Sequence, residues 1–69
     1  MMMTRNNQIK TLEGTLETEF NTGTEEHPIL SLTVVTDEIR EAIGLDRRAT
    51  RLLMQEIDEF LQSIKDGEG

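Results

Sequence analysis

Arg47, Arg48 and Arg51 fall within five positions, and Arg40 lies seven residues upstream of the first. A guanidinium carries a fixed charge and a planar fork of N–H donors that matches phosphate and carboxylate oxygens. In a helix that starts nearby, the three clustered arginines project together from the side opposite Leu53 and Ile57, where they could meet a phosphate or a partner's carboxylates. The first turns of a helix carry partial positive charge, so each cation there is unfavourable by about a few tenths of a kcal/mol. Some anion should compensate, and the chain's own Asp and Glu residues are its ordinary source. Arg40, Arg47, Arg48 and Arg51 are therefore the candidate partner- or anion-binding residues.

Glu13, Glu17 and Glu19 form a second group. On a strand, alternate residues share a face at about 6.6 to 6.8 Å per step, so these carboxylates make a row that could imitate backbone phosphates. Glu25 and Glu26, and Glu56, Asp58, Glu59, Asp66 and Glu68 towards the C-terminus, extend the acidic character. Such faces suit a basic groove on a macromolecular partner, and in their ordinary role keep a strand soluble and its edge unpaired. His27, between Glu26 and Pro28, could be imagined with its acidic neighbours as a metal ligand or proton relay. A metal would need more ligands than one His and no Cys provide, so no metal site is expected. Ser31 and Ser63 have no base nearby in sequence, and Gly14 and Gly23 stand alone rather than in a phosphate-cradling loop. The expectation is a protein without catalytic residues or cofactor.

The elements that must position these groups follow from periodicity. Ile9 to Phe20 alternates, with Leu12, Gly14, Leu16, Thr18 and Phe20 on one side and Glu13, Thr15, Glu17 and Glu19 on the other, which predicts a half-buried strand. The run NTGTEEHP, residues 21–28, favours a reversal, and Ile29 to Val35 is a β-branched returning strand. Thr36 or Asp37 suits a helix N-cap, predicting a short helix to about Ile43 that ends at Gly44. Asp46 caps a second, long helix to about Lys65, with Ala49, Leu53, Ile57, Phe60, Leu61 and Ile64 at spacings of three and four and Leu52 and Met54 on its flanks. The fold class expected is α+β: an N-terminal β-hairpin, a short helix and a long C-terminal amphipathic helix, assembled as an oligomer.

With 69 residues the chain is one small domain over residues 1–69, frayed at 1–7 and 66–69. So short a chain buries only about 60% of the surface it exposes when unfolded, and no disulfide compensates. A homo-oligomer, with a dimer favoured, is the remaining remedy, and Leu52, Leu53, Ile57, Phe60, Leu61 and Ile64 are its candidate interface. Seven basic and fourteen acidic residues give a net charge of -7, which disfavours nucleic acid and anionic membranes as partners. The balance is -3 over residues 1–35, 0 over 36–54 and -4 over 55–69. No apolar run approaches the ~20 residues of a membrane span, and a cytoplasmic protein is expected.

Residues 38–57, EIREAIGLDRRATRLLMQEI, resemble the helix-turn-helix of bacterial DNA-binding regulators. Glu38, Ile39, Glu41, Ala42, Gly44 and Leu45 match its first helix and turn, and Leu53 and Ile57 match apolar positions of its recognition helix. The resemblance implies that Arg47, Arg48 and Arg51 contact base edges and phosphates. In size and charge the chain also resembles small acidic inhibitors encoded by phages and mobile elements. The leading expectation is a non-enzymatic binding protein, an inhibitor or regulatory adaptor with a protein partner. The alternatives are a dimeric DNA-binding regulator, or capture of a phosphorylated small ligand by the arginines at an oligomer interface.

Overall fold

A computed structural model of the chain describes residues 4–68. Four strands, β1 (Asn6–Lys10), β2 (Thr15–Phe20), β3 (Leu30–Val35) and β4 (Arg40–Leu45), precede one helix, α1 (Arg47–Glu68). The strands form an antiparallel sheet in the order β1-β2-β3-β4, so every neighbour in sequence is a neighbour in space. The class is α+β, as the periodicity predicts. Part of the stretch expected to fray, residues 1–3 and 69, lies outside the described residues. Within them, β1 begins at Asn6 and α1 continues to Glu68.

Two expected elements are different in the structure. The strand expected over Ile9 to Phe20 is a hairpin, broken where Thr11 N–H donates to the Gly14 carbonyl at 2.9 Å and Gly14 N–H donates to the Thr11 hydroxyl at 3.1 Å. A side chain at Gly14 would collide with the Val35 carbonyl, so the turn closes against β3 only because this position carries none. Glu13 therefore sits in a turn, and it does not continue the row of Glu17 and Glu19 along β2.

The short helix expected from Thr36 to Ile43 is instead a turn and β4. Thr36 behaves locally as foreseen: its hydroxyl accepts from Glu38 N–H at 3.2 Å and Ile39 N–H at 3.1 Å. The same local bonds serve a helix cap and a tight turn, and the following residues decide between them. Here Thr36 N–H donates to the Ile39 carbonyl at 2.9 Å and residues 40–45 pair along the whole of β3. Gly44 is a poor helix residue, and the ladder with β3 outweighs the weak helix preference of so short a segment. The first helix of the helix-turn-helix likeness is thus strand β4.

The reversal expected over 21–28 is present. Asn21 takes a positive φ of 62°, which its short polar side chain tolerates, and Thr24 and His27 exchange backbone hydrogen bonds at 3.2 Å. At the other end, Asp46 is the N-cap of α1: its Oδ1 accepts from Ala49 N–H at 2.8 Å.

Strand register sorts the side chains into two faces, because residues directly opposite each other share a face. Ile9, Leu16 and Val34 form one row with Glu41; Thr18, Leu32 and Ile43 form the next with Asn7; Phe20, Leu30 and Leu45 form the third. The other face carries Gln8, Glu17, Thr33 and Ala42, with Glu19, Ser31 and Arg40. One face of the sheet thus gathers most of the large apolar residues, and the other is mainly polar, with Val35 and Ala42 as its apolar members.

What covers the apolar face in most small α+β domains is a helix, and here α1 does not. It meets the sheet chiefly at β4, and every residue from Arg51 to Ile64 is exposed. Among the described residues no side chain is buried. The radius of gyration is 14.2 Å, against about 11 Å for a compact chain of this length.

Candidate functional site

The sheet face that gathers most of the apolar strand residues and the apolar stripe of α1 are both exposed. On α1, Leu52, Leu53, Met54, Ile57, Phe60, Leu61 and Ile64 are between 37% and 63% exposed. On the sheet, Ile9, Val34 and Ile43 are exposed as well. Most of the stability of a helix in a protein comes from packing of its amphipathic face, and the apolar side of this 22-residue helix is open.

Where α1 leaves the sheet, a groove of about 420 Å³ opens between the first turns of the helix and the end of the apolar face. Phe20, Leu30, Leu45, Pro28 and Ile29 line it from the sheet and the β2–β3 loop, and Thr50 and Met54 from α1. Arg47 and Arg51 add charge to this apolar lining. The Thr50 hydroxyl is engaged, donating to the Asp46 carbonyl at 2.7 Å. The Arg5 guanidinium lies over the Phe20 ring, 5.1 Å from its centre.

The four arginines singled out from the sequence do not act as one group. Arg47 and Arg51 share the groove, whereas Arg48 lines a shallow recess with Glu26, His27, Pro28, Asp46 and Arg47. Arg40 is at the opposite end of β4, about 16 Å from Leu45 at the rise of a strand. It is held on the polar face by Glu17, whose Oε1 accepts from Nη2 at 2.9 Å. That is the only ion pair among the described residues, so among them Arg47, Arg48 and Arg51 make no ion pair with an Asp or Glu side chain.

The acidic row is likewise divided. Glu17 and Glu19 share the polar face of β2, but Glu17 is engaged by Arg40 and by the Gln8 side-chain amide at 3.2 Å. β2 is also an inner strand, so its carboxylates do not guard a sheet edge. At the start of α1 the N-terminal position that would attract a ligand anion is filled by the carboxylate of Asp46. His27 closes its own turn, its N–H donating to the Thr24 hydroxyl at 3.1 Å. Among the described residues, no three His, Asp or Glu side chains gather where they could hold a metal ion. No described helix is long and apolar enough to cross a membrane.

Sequence reasoning found the helix stripe and missed the groove. Phe20, Leu30 and Leu45 come from three separate strands, and only their registers place them in one row. The alternation of Glu41, Ile43 and Leu45 against Arg40, Ala42 and Gly44 is the signal that would have found β4. No family model, no curated protein and no solved structure matches this chain.

Proposed function

We propose that the chain is a non-enzymatic protein-binding module of the cytoplasm, an adaptor or inhibitor that acts by occupying a macromolecular partner. Its docking surface is the apolar sheet face continued along α1. One observation carries this reading: among the described residues no side chain is buried, yet most large apolar ones in the strands, Ile9, Leu16, Phe20, Leu30, Leu32, Val34, Ile43 and Leu45, share one face of the sheet, and those of the helix form one stripe. Random exposure would scatter them; segregation without burial is the pattern of half an interface.

Surface area supports the same reading. The chain exposes 6140 Å², whereas a compact monomer of 7.9 kDa exposes about 4,400 Å². The excess of roughly 1,700 Å² is about twice what each partner buries in a standard interface, and belongs to the range of obligate assemblies. The opposite, polar face with Glu17, Glu19 and Arg40 stays hydrated in such an assembly. A net charge of -7 favours a partner with a basic surface over nucleic acid.

The test compares tagged wild-type chain with Ile57→Asp, which puts a carboxylate in the middle of the stripe. After nuclease treatment of a host lysate, the wild type should retain a stoichiometric protein, its own untagged copies included, and the variant should lose it. Isolated wild-type chain should also either self-associate or bind a hydrophobic dye. A monodisperse monomer that binds neither dye nor protein refutes the reading.

A further inference from the structure

The connection between β4 and α1 is a single residue, Asp46, and hydrogen bonds hold it in place. Its carboxylate accepts from Ala49 N–H at 2.8 Å, and its carbonyl accepts from Thr50 N–H at 2.9 Å and from the Thr50 hydroxyl at 2.7 Å. A helix that packs back on the sheet it follows is ordinarily joined to it by about two to six residues. With one, α1 is aimed off the end of its own sheet, and the molecule is drawn out to 43 Å.

The side that α1 sets against its own sheet is also not its stripe. Arg47, Thr50, Arg51 and Met54 line the groove from the helix. At 100° per residue, the stripe of Leu53, Ile57, Phe60, Leu61 and Ile64 is centred about 80 to 90° round from them. On the sheet, the row of Phe20, Leu30 and Leu45 reaches the groove, whereas Ile9, Val34 and Ile43 in the two rows beyond it stay exposed. Each chain thus holds a helix stripe that lacks a sheet and a sheet face that lacks a helix, and its own geometry keeps the two apart.

We infer that a second copy of this chain supplies both: α1 of each copy lies with its stripe on the open sheet rows of the other, about a two-fold axis. The stripe from Leu53 to Ile64 is about 16 Å long and four strands are about 14 Å across, so one helix spans the face. Arg48, Asp58 and Glu59 lie about 120 to 160° round from the stripe and stay in water, and Arg47 and Arg51 stay at the groove of their own chain. Glu41, on the same sheet face as Val34, belongs to the edge strand β4 and stands at the rim. The exposed excess of roughly 1,700 Å² on each chain comes to about 3,400 Å² for the pair, within the range of obligate homodimers. A partner offering only a helix or only a sheet would cover one surface and leave the other open, whereas a second copy covers both with one kind of contact. This inference rests on the docking reading above and names its partner.

The test lengthens the connection. A flexible insertion of about six Gly and Ser residues between Leu45 and Asp46 gives α1 the reach to turn back onto its own sheet. By sedimentation equilibrium the wild-type chain should be a dimer and the insertion variant a monomer, with the same helix content by far-ultraviolet circular dichroism. A second measurement does not depend on how that variant folds. In a chain without cysteine, Val34→Cys and a tagged Ile57→Cys, mixed and treated with a short bifunctional thiol reagent, should be joined sheet to helix between chains, and Ile57→Cys alone should be joined several-fold less. An insertion variant that dimerises as tightly as the wild type, or Ile57→Cys crosslinking alone as well as in the mixture, overturns the exchange. A wild-type monomer that binds hydrophobic dye overturns pairing with a second copy and leaves the docking surface to another protein; a monomer that binds no dye and captures no protein overturns both.

Discussion

Phe60 offers a direct measure of how much the exposed stripe contributes to association. Its side chain is 61% exposed and touches no core, so the folded monomer has almost nothing to lose when it is shortened. Fully burying a phenylalanine side chain is worth about 1.5 to 3 kcal/mol, so the fraction still open corresponds to about 1 to 2 kcal/mol per copy. With a second copy as the partner every residue would count twice, and Phe60→Ala should then cost the dimer about 2 to 4 kcal/mol, roughly a 30- to 700-fold rise in Kd. Alanine is the best helix former, so a loss cannot be assigned to weakened helix propensity. Sedimentation equilibrium gives the Kd, and melts over a range of chain concentrations give an independent reading, because the Tm of a dimer rises with concentration. A Kd within about threefold of the wild type would refute the claim that this side chain is covered on association.

Three further perturbations separate local structure from assembly. Asp46→Ala removes the acceptor for Ala49 N–H and should cost about 1 kcal/mol, lowering Tm by about 4 to 8 °C in a domain of this size; an unchanged far-ultraviolet melt would contradict that role. Arg40→Ala breaks an ion pair whose arginine is 65% exposed, so its effect should stay within about 0 to 1 kcal/mol and below that of Asp46→Ala; a larger loss would mean the pair holds β4 in place. Leu53→Cys, in a chain without cysteine, puts a thiol in the exposed stripe that should react with a thiol reagent more slowly at high chain concentration or with a partner present than in dilute solution alone; equal rates would mean that the stripe is not covered.

The sequence was most readable where structure depends on near neighbours. Asp46 as N-cap, the turn signals between Asn21 and Pro28, and the stripe from Leu53 to Ile64 involve residues only a few positions apart. The alternation of Leu16, Thr18 and Phe20 against Glu17 and Glu19 likewise predicted the faces of β2. Residues 40–45 were less readable, since six residues with small Ala42 and Gly44 suit a helix turn or a strand, and Thr36 makes the same hydrogen bonds in either setting. Of the candidate site, the stripe and the exposure of Arg47 and Arg51 could be read in advance. The groove beside those arginines could not.

Sequence by itself thus determined a long amphipathic helix, a β-rich N-terminal part and a thin core, because these depend on composition, capping and local spacing. Only the tertiary structure decided that Gly14 turns against Val35 and that β4 completes a four-stranded sheet. It also decided that Arg40 is tied to Glu17, away from Arg47 and Arg51, and that α1 leaves the apolar face open. Each of these results from pairing between segments distant in sequence. Such ladders set which rows of side chains face the same way, and no local preference specifies their register.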